Sequence, residues 1–151
     1  MNLPRNILVP IDFSEYSEQA LDYAVALADK LDAKVHVLNV IGVPALGVPE
    51  LGIALTASVI DGLVREHQEA IDKLAAPRRA TGRIGEVILR TGDARDVILQ
   101  AREEVEADMI VMGTHGRRGI SRALLGSVAE SVVRMAPCPV LTIRAPKGKH
   151  R

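Results

Sequence analysis

Five short apolar runs punctuate the chain, and between each pair lies enough sequence for one helix. The runs are 6–11, 34–41, 86–91, 108–112 and 140–144, rich in valine, isoleucine and leucine. Runs of this length and composition read as strands buried on both faces. The intervening segments carry helical signals instead. Ser14 stands as an N-cap for a helix to about Leu31, with Leu21, Ala24, Ala28 and Leu31 as its apolar stripe. A second helix is expected from about Thr56 to Ala76, with Ile60, Leu63, Val64, His67, Ile71 and Leu74 on one face. Pro77 and the Arg78-Arg79 pair close it, the arginines complementing the helix dipole. Asp93 caps a third helix to about Val105, with Val97, Ile98, Ala101 and Val105 inward. Ser127 and Glu130 have capping-box spacing, so a fourth helix is expected to start at Ser127 and to bury Val128, Val132 and Met135.

Strand–helix alternation of this kind predicts an α/β fold: a five-stranded parallel sheet with helices on both faces, Rossmann-like, joined by right-handed crossovers. Aromatic residues make up only 2% of the 151 residues while apolar ones reach 48%, so the core must be aliphatic. That suits a parallel sheet under helices. One domain is expected over residues 1–145, with a disordered tail at 146–151. The formal net charge of zero argues against bulk electrostatic binding to nucleic acid or an anionic membrane. No run approaches the roughly 20 apolar residues of a membrane span. The lone cysteine, Cys138, permits no internal disulfide. With no signal-peptide pattern in Met1-Asn2-Leu3-Pro4-Arg5, a cytoplasmic protein is expected.

The stretch after the fourth run carries the chemistry. Gly113-Thr114-His115-Gly116-Arg117-Arg118-Gly119, continued through Leu124-Leu125-Gly126-Ser127, joins a strand to a helix N-terminus. A glycine-rich loop lets backbone N–H groups crowd around an anion, and the helix dipole favours negative charge there. Arg117 and Arg118 add positive charge, and arginine can clamp phosphate through two hydrogen bonds. This is neither a P-loop nor the Gly-x-Gly-x-x-Gly dinucleotide fingerprint. The residues alone support an anion site or a plain connection.

The spacing is more specific. Gly113, two residues, Gly116, nine residues and then Gly126-Ser127 resembles the nucleotide-binding signature of universal stress proteins. The resemblance extends to Ile7-Leu8-Val9-Pro10-Ile11-Asp12-Phe13-Ser14, similar to that family's opening strand and turn, and to Pro137-Cys138-Pro139-Val140-Leu141, similar to its closing strand. It implies the strand order 3-2-1-4-5, which the sequence itself leaves open. Ligands of such sheets sit beyond the C-terminal strand ends where the order reverses. The crevice would then lie between Pro10–Asp12 and Gly113–Gly116. By the same resemblance Pro10 and Val40 flank an adenine, and Met112 and Gly113 line the base and ribose. Gly116, Gly126, Ser127 and Val128 hold phosphates, and Arg117 fills a basic position in the loop. Asp12 reads either as a turn carboxylate for the first helix or as a ligand for ribose hydroxyls or a phosphate-bound Mg2+. The resemblance favours the ligand role.

The remaining candidates read more plainly. His115 has no second metal ligand at suitable spacing. His36 sits on a strand with no motif around it, and His67 shares the apolar stripe of the second helix as a packing residue. Cys138 reads as a small apolar packer, with only the distant Arg134 to lower its pKa. The loop from Gly42 to about Gly52 is apolar and holds Pro44, Gly47 and Pro49, which suggests a lid or partner contact. In the implied order Val140–Arg144 is a bare edge strand, and the resemblance implies a homodimer through it. The expected function is a stress-response regulatory protein that binds ATP or another adenine nucleotide and hydrolyses it slowly if at all. The protein partner it would signal to is unknown from the sequence. The alternatives are a nucleotide-hydrolysing or nucleotidyl-transferring enzyme and a scaffold that binds no nucleotide.

Overall fold

Asn6–Ile11 forms the first strand, β1, and takes the middle of the main sheet. The computed structural model describes residues 2–42, 57–115 and 125–144, with the backbone alone of 47–48 and 53–54. After β1 come α1 (Glu15–Leu31), β2 (Lys34–Ile41), β3 (Gly47–Val48), β4 (Ile53–Ala54) and α2 (Ala57–Ala75). A 3-10 segment (Ala76–Thr81), β5 (Ile84–Thr91), α3 (Ala94–Glu104), β6 (Met109–Gly113), α4 (Ser127–Met135) and β7 (Val140–Ile143) complete the order. The main sheet runs β5-β2-β1-β6-β7 with every pairing parallel. Counting its own strands alone, that is 3-2-1-4-5, the expected order. β3 and β4 pair antiparallel; of the segment read as a lid, Gly42 and β3 are described and β4 follows just after it, while its other residues, and those after Arg144, lie outside the described set.

The alternation along the strands divides the core in two. Ile7, Val9, Ile11, Val35, Val37 and Val111 face α1 and α2, meeting Leu21, Ala24, Ala28, Ile71 and Leu74. Leu8, Leu38, Ile88, Ile110 and Met112 face α3 and α4, meeting Val97, Ile98, Ala101, Ala129 and Val132. Two-sided burial is why β1 shows an unbroken apolar run rather than alternation.

Local signals set the ends of α1 and α3. Ser14 Oγ accepts the Ser17 N–H at 3.2 Å, and Asp93 accepts the Arg95 N–H at 3.0 Å, both as expected N-caps. α2 ends with the expected basic complement at Arg78 and with a tie to α1 besides. Arg78 donates Nη1 to Leu74 O and Nε to Asp22 Oδ1, at 2.7 and 2.8 Å, tying the end of α2 to α1. The fourth helix corrects two expectations. Its N-cap is Gly126, with no side-chain cap hydrogen bond, so Ser127 is the first helical residue. Glu130 pairs with Arg134 at 2.9 Å instead of reaching back. Ala129 and Val132 are its buried residues, Val128 is half-buried, and Met135 is 65% exposed. Cys138 packs against the α3–α4 side of the core, where burial pushes its thiol pKa up. Arg102, rather than Arg134, is the basic group beside it.

His36 has a role that no local motif announced. Between Val35 and Val37 the β2–β5 register shifts by one, leaving β5 with an extra residue. The bulged Glu86 N–H donates to His36 Nδ1 at 3.0 Å. Nδ1 therefore carries no hydrogen, and Nε2 donates to Asn6 Oδ1 at 3.1 Å. Gly85 makes room, since a Cβ there would lie 2.7 Å from His36 Cε1.

Burial holds the His36 pKa below its ordinary value, with Glu86 opposing in the smaller measure. A second proton would also set two donors against each other at Nδ1. The folded state thus refuses a proton that the unfolded chain accepts below about pH 6.5. The His36 contribution to stability is complete above that pH and is lost as pH falls toward the depressed folded value. Denaturant unfolding of the wild type at pH 7.5 and 5.5 is expected to show this loss. His36→Gln, which keeps an acceptor for the Glu86 N–H, should show a smaller one; equal losses would contradict the assignment.

Candidate functional site

β1 and β6 run side by side, but the chain leaves them for opposite faces of the sheet, and a cleft opens beyond their C-terminal ends. The cleft holds about 570 Å3, within the range of small-molecule sites. Leu38, Val40, Ile98, Met112, Leu125 and Val128 supply an apolar lining, and Asp12, Ser17, Thr114, His115 and Ser127 add polar groups.

The β1–α1 turn is held at both flanks of Asp12. The Asp12 N–H donates to Ser17 Oγ at 3.3 Å, and Asp12 Oδ1 accepts the Ser14 N–H at 3.0 Å and the Ser14 hydroxyl. Ser14 Oγ in turn caps α1. Asp12 therefore does form the turn that the simpler reading expected, through Oδ1, while also lining the cleft. Phe13 pays for the tightness of this turn with φ 63°, a conformation that a bulky side chain rarely adopts.

On the opposite side the ends of the glycine-rich loop are tied together. The Gly126 N–H donates to Thr114 O at 2.7 Å. A Cβ on Gly126 would lie 2.9 Å from the same oxygen, so the close approach demands glycine. Gly126 needs no unusual backbone angle, its φ being −59°. Gly113 answers a different constraint: a Cβ there would come within 2.9 Å of Tyr16 Cβ, where β6 meets the first turn of α1. The clamp seats the N-terminus of α4 on the cleft. Glu130 N–H to Gly126 O, at 2.8 Å, is the first bond of that helix. The amides of Ser127, Val128 and Ala129 thus precede any intrahelical acceptor, and all three residues line the cleft. This is the geometry that attracts anions.

Eight residues expected at the site line this one cleft: Pro10, Asp12, Val40, Met112, Gly113, Gly126, Ser127 and Val128. Gly116 and Arg117 lie outside the described residues. The sequence reading missed Leu38, Ala94 and Ile98. Ala94 and Ile98 share a face at a spacing of four, but only the folded order brings α3 to the cleft. It also missed Ser17, although the repeat of serine three places after Ser14 is visible in the sequence. His115 proves better held than expected: Thr114 Oγ1 lies 3.0 Å from its Nδ1, and the Tyr16 ring sits 5.9 Å away. Among the described residues no group of three or more His, Cys, Asp or Glu side chains is placed to hold a metal. No helix among them is long and apolar enough to cross a membrane.

Comparison with known proteins agrees with this architecture. The chain is 37% identical over 148 residues to universal stress protein MJ0531 of Methanocaldococcus jannaschii, covering 97% of this chain and 85% of that one. The solved universal stress protein UspA from Lactobacillus plantarum superposes with a TM-score of 0.75 at 28% identity, over 93% of this chain and 97% of that one. A universal stress protein from Archaeoglobus fulgidus, solved in complex with dAMP, gives 0.65 at 25% identity, over 95% and 99% of the two chains. The family model described as universal stress protein matches residues 4–144. With that match spanning both halves of the sheet and the cleft between them, the chain belongs to the universal stress protein family.

Proposed function

We propose that this protein is a regulatory sensor that binds an adenine nucleotide, ATP or another adenylate, in the cleft between β1 and β6. The observation that carries the reading is the uncapped N-terminus of α4 facing an apolar cleft of nucleotide size, clamped there by Gly126. The dAMP bound by the Archaeoglobus fulgidus relative supports it. The adenine takes the apolar part beside Pro10 and Val40, with Met112 and Gly113 along the base and ribose. Asp12 meets the ribose hydroxyls. The phosphates sit at Gly126, Ser127 and Val128, joined by Gly116 and Arg117. In the alternative arrangement, a Mg2+ ion carried in on the phosphates takes Asp12 as its one protein carboxylate in place of the ribose contact, in keeping with the ion's preference for phosphate and water ligands. The reading also makes the protein cytoplasmic and a homodimer.

Three outcomes test this reading. Gly126→Val drives a side chain into Thr114 O and breaks the clamp, at a cost of about 1–3 kcal/mol from overpacking. The variant should remain folded by circular dichroism and lose adenine-nucleotide affinity by at least about tenfold in calorimetry; a folded variant with wild-type affinity removes the site.

Binding groups that treat ground and transition states alike do not accelerate chemistry. The described cleft supplies such groups, and phosphoryl transfer further demands a positioned nucleophile. Phosphate release from ATP and magnesium should run well below about 1 per second, the low end for enzymes. His115, oriented by Thr114 and Tyr16, is the side chain that would serve an enzyme instead. Faster turnover, abolished in both His115→Ala and Gly126→Val, would establish hydrolysis as the activity.

Among the described residues β7 pairs with β6 alone and presents its other edge. Val140, Leu141, Thr142 and Ile143 are each half-buried in the isolated chain. A second copy pairing antiparallel along this edge would complete the ladder with two-fold symmetry. Light scattering at micromolar concentration should return the mass of two chains, and Thr142→Pro, which removes a ladder donor, should return one. A wild-type protein with the mass of one chain rules the dimer out.

A further inference from the structure

Asn39 is almost fully buried on β2, opposite Ile11 in the parallel register. A buried amide must find partners for both of its ends. Its Nδ2 donates to Ile11 O at 2.7 Å. Its Oδ1 lies 2.9 Å from His67 Nδ1, on the neighbouring helix α2. Because the amide nitrogen is committed to Ile11, Oδ1 can only accept, and His67 Nδ1 carries the hydrogen. The His67 ring also meets Phe13 edge-on, with centroids 5.9 Å apart and planes at 61°.

These contacts share one target. The peptide joining Ile11 to Asp12 is held at its oxygen by Asn39 and at its N–H by Ser17 Oγ. The next residue, Phe13, is the one in the left-handed region, and His67 packs on its ring. A bulky residue persists at such an angle only when its surroundings hold it there. His67 thus reaches both sides of Asp12 without standing among the residues of the cleft.

We propose that His67 is a positioning residue for the nucleotide site, which sets the Asp12 turn through Asn39 on one side and Phe13 on the other and so couples the seating of α2 to ligand affinity. The proposal rests on the nucleotide reading of the cleft and adds its regulation. α2 is the first helix after segment 43–56, so a change in how that helix docks is felt at Asp12 through side chains that touch no ligand. The coupling is reciprocal: a ligand that fixes Asp12 also favours the docked helix.

The test compares four proteins: wild type, His67→Phe, Asp12→Asn and the double variant, with His67→Gln as the rescue. His67→Phe keeps an aromatic ring against Phe13 but removes the donor to Asn39; glutamine restores a donor. By calorimetry with AMP and ATP, His67→Phe should weaken binding by about tenfold, a moderate coupling between neighbouring sites. In the Asp12→Asn background the same change should have little further effect, and His67→Gln should recover the share of the loss that the donor to Asn39 carries. Additive losses, or no loss in His67→Phe, overturn the proposal.

Amide hydrogen exchange without ligand reads the turn directly. His67→Phe should speed exchange at Asp12 and Ser14 by about tenfold or more while leaving Val9 and Ala24 unchanged. Uniform acceleration at all four would reduce His67 to a general stabiliser and overturn the proposal. Should the wild type bind no adenine nucleotide, the nucleotide reading falls, and the exchange pattern alone decides whether His67 holds the turn.

Discussion

Strand β1 is paired along both edges and covered on both faces, and the rest of the molecule is arranged to satisfy it. Ile7, Leu8 and Val9 are wholly inaccessible to water. Each such side chain contributes about 1.5–3 kcal/mol by burial, but only if the backbone between them finds partners, since no water reaches it. β2 and β6 provide those partners, α1 and α2 cover one face, and α3 and α4 cover the other. A strand so enclosed can become accessible only at its end. There the chain turns out at Asp12, and there the cleft lies.

Much of this was legible in the residues because its causes are local. Ser14 and Asp93 announce α1 and α3 because a side-chain oxygen caps an amide two or three places on. Two-sided burial shows as the apolar run Ile7–Ile11 in β1 and as the valine, leucine and isoleucine that surround His36 and Asn39 in β2. The strand order was not local information and came from the family resemblance. The Ser127–Glu130 pattern misled for an instructive reason. The capping rule considers only neighbours in sequence, whereas the start of α4 is decided by Thr114 O, twelve residues back, to which only a glycine can come close. Met135 was expected inward by its spacing, but the helix ends there and leaves it in solvent.

The histidines make the same point. His36 stood on a strand without a motif and His67 read as a packing residue of the second helix, and the fold gives their Nδ1 atoms opposite roles: acceptor from a bulged strand in one, donor to a buried amide in the other. Neither role is written near the residue, because Glu86 lies fifty positions from His36 and Asn39 lies twenty-eight from His67. The cleft was legible where it is made of β1, β6 and the start of α4. It was illegible where α3 contributes Ala94 and Ile98, which meet it only after the chain has crossed the sheet.

The extra residue that His36 accommodates in β5 has a consequence at the rim of the sheet. β5 and β7 are the two outer strands. A bulge twists and interrupts the ladder that a newcomer would have to follow, and β5 also sets Glu86 and Arg90 in solvent. β7 carries neither device along Val140–Ile143. A sheet with two receptive rims can grow into a ribbon without end. With one rim blunted, addition at the other is terminal, so the fold has a built-in stop against fibrous growth.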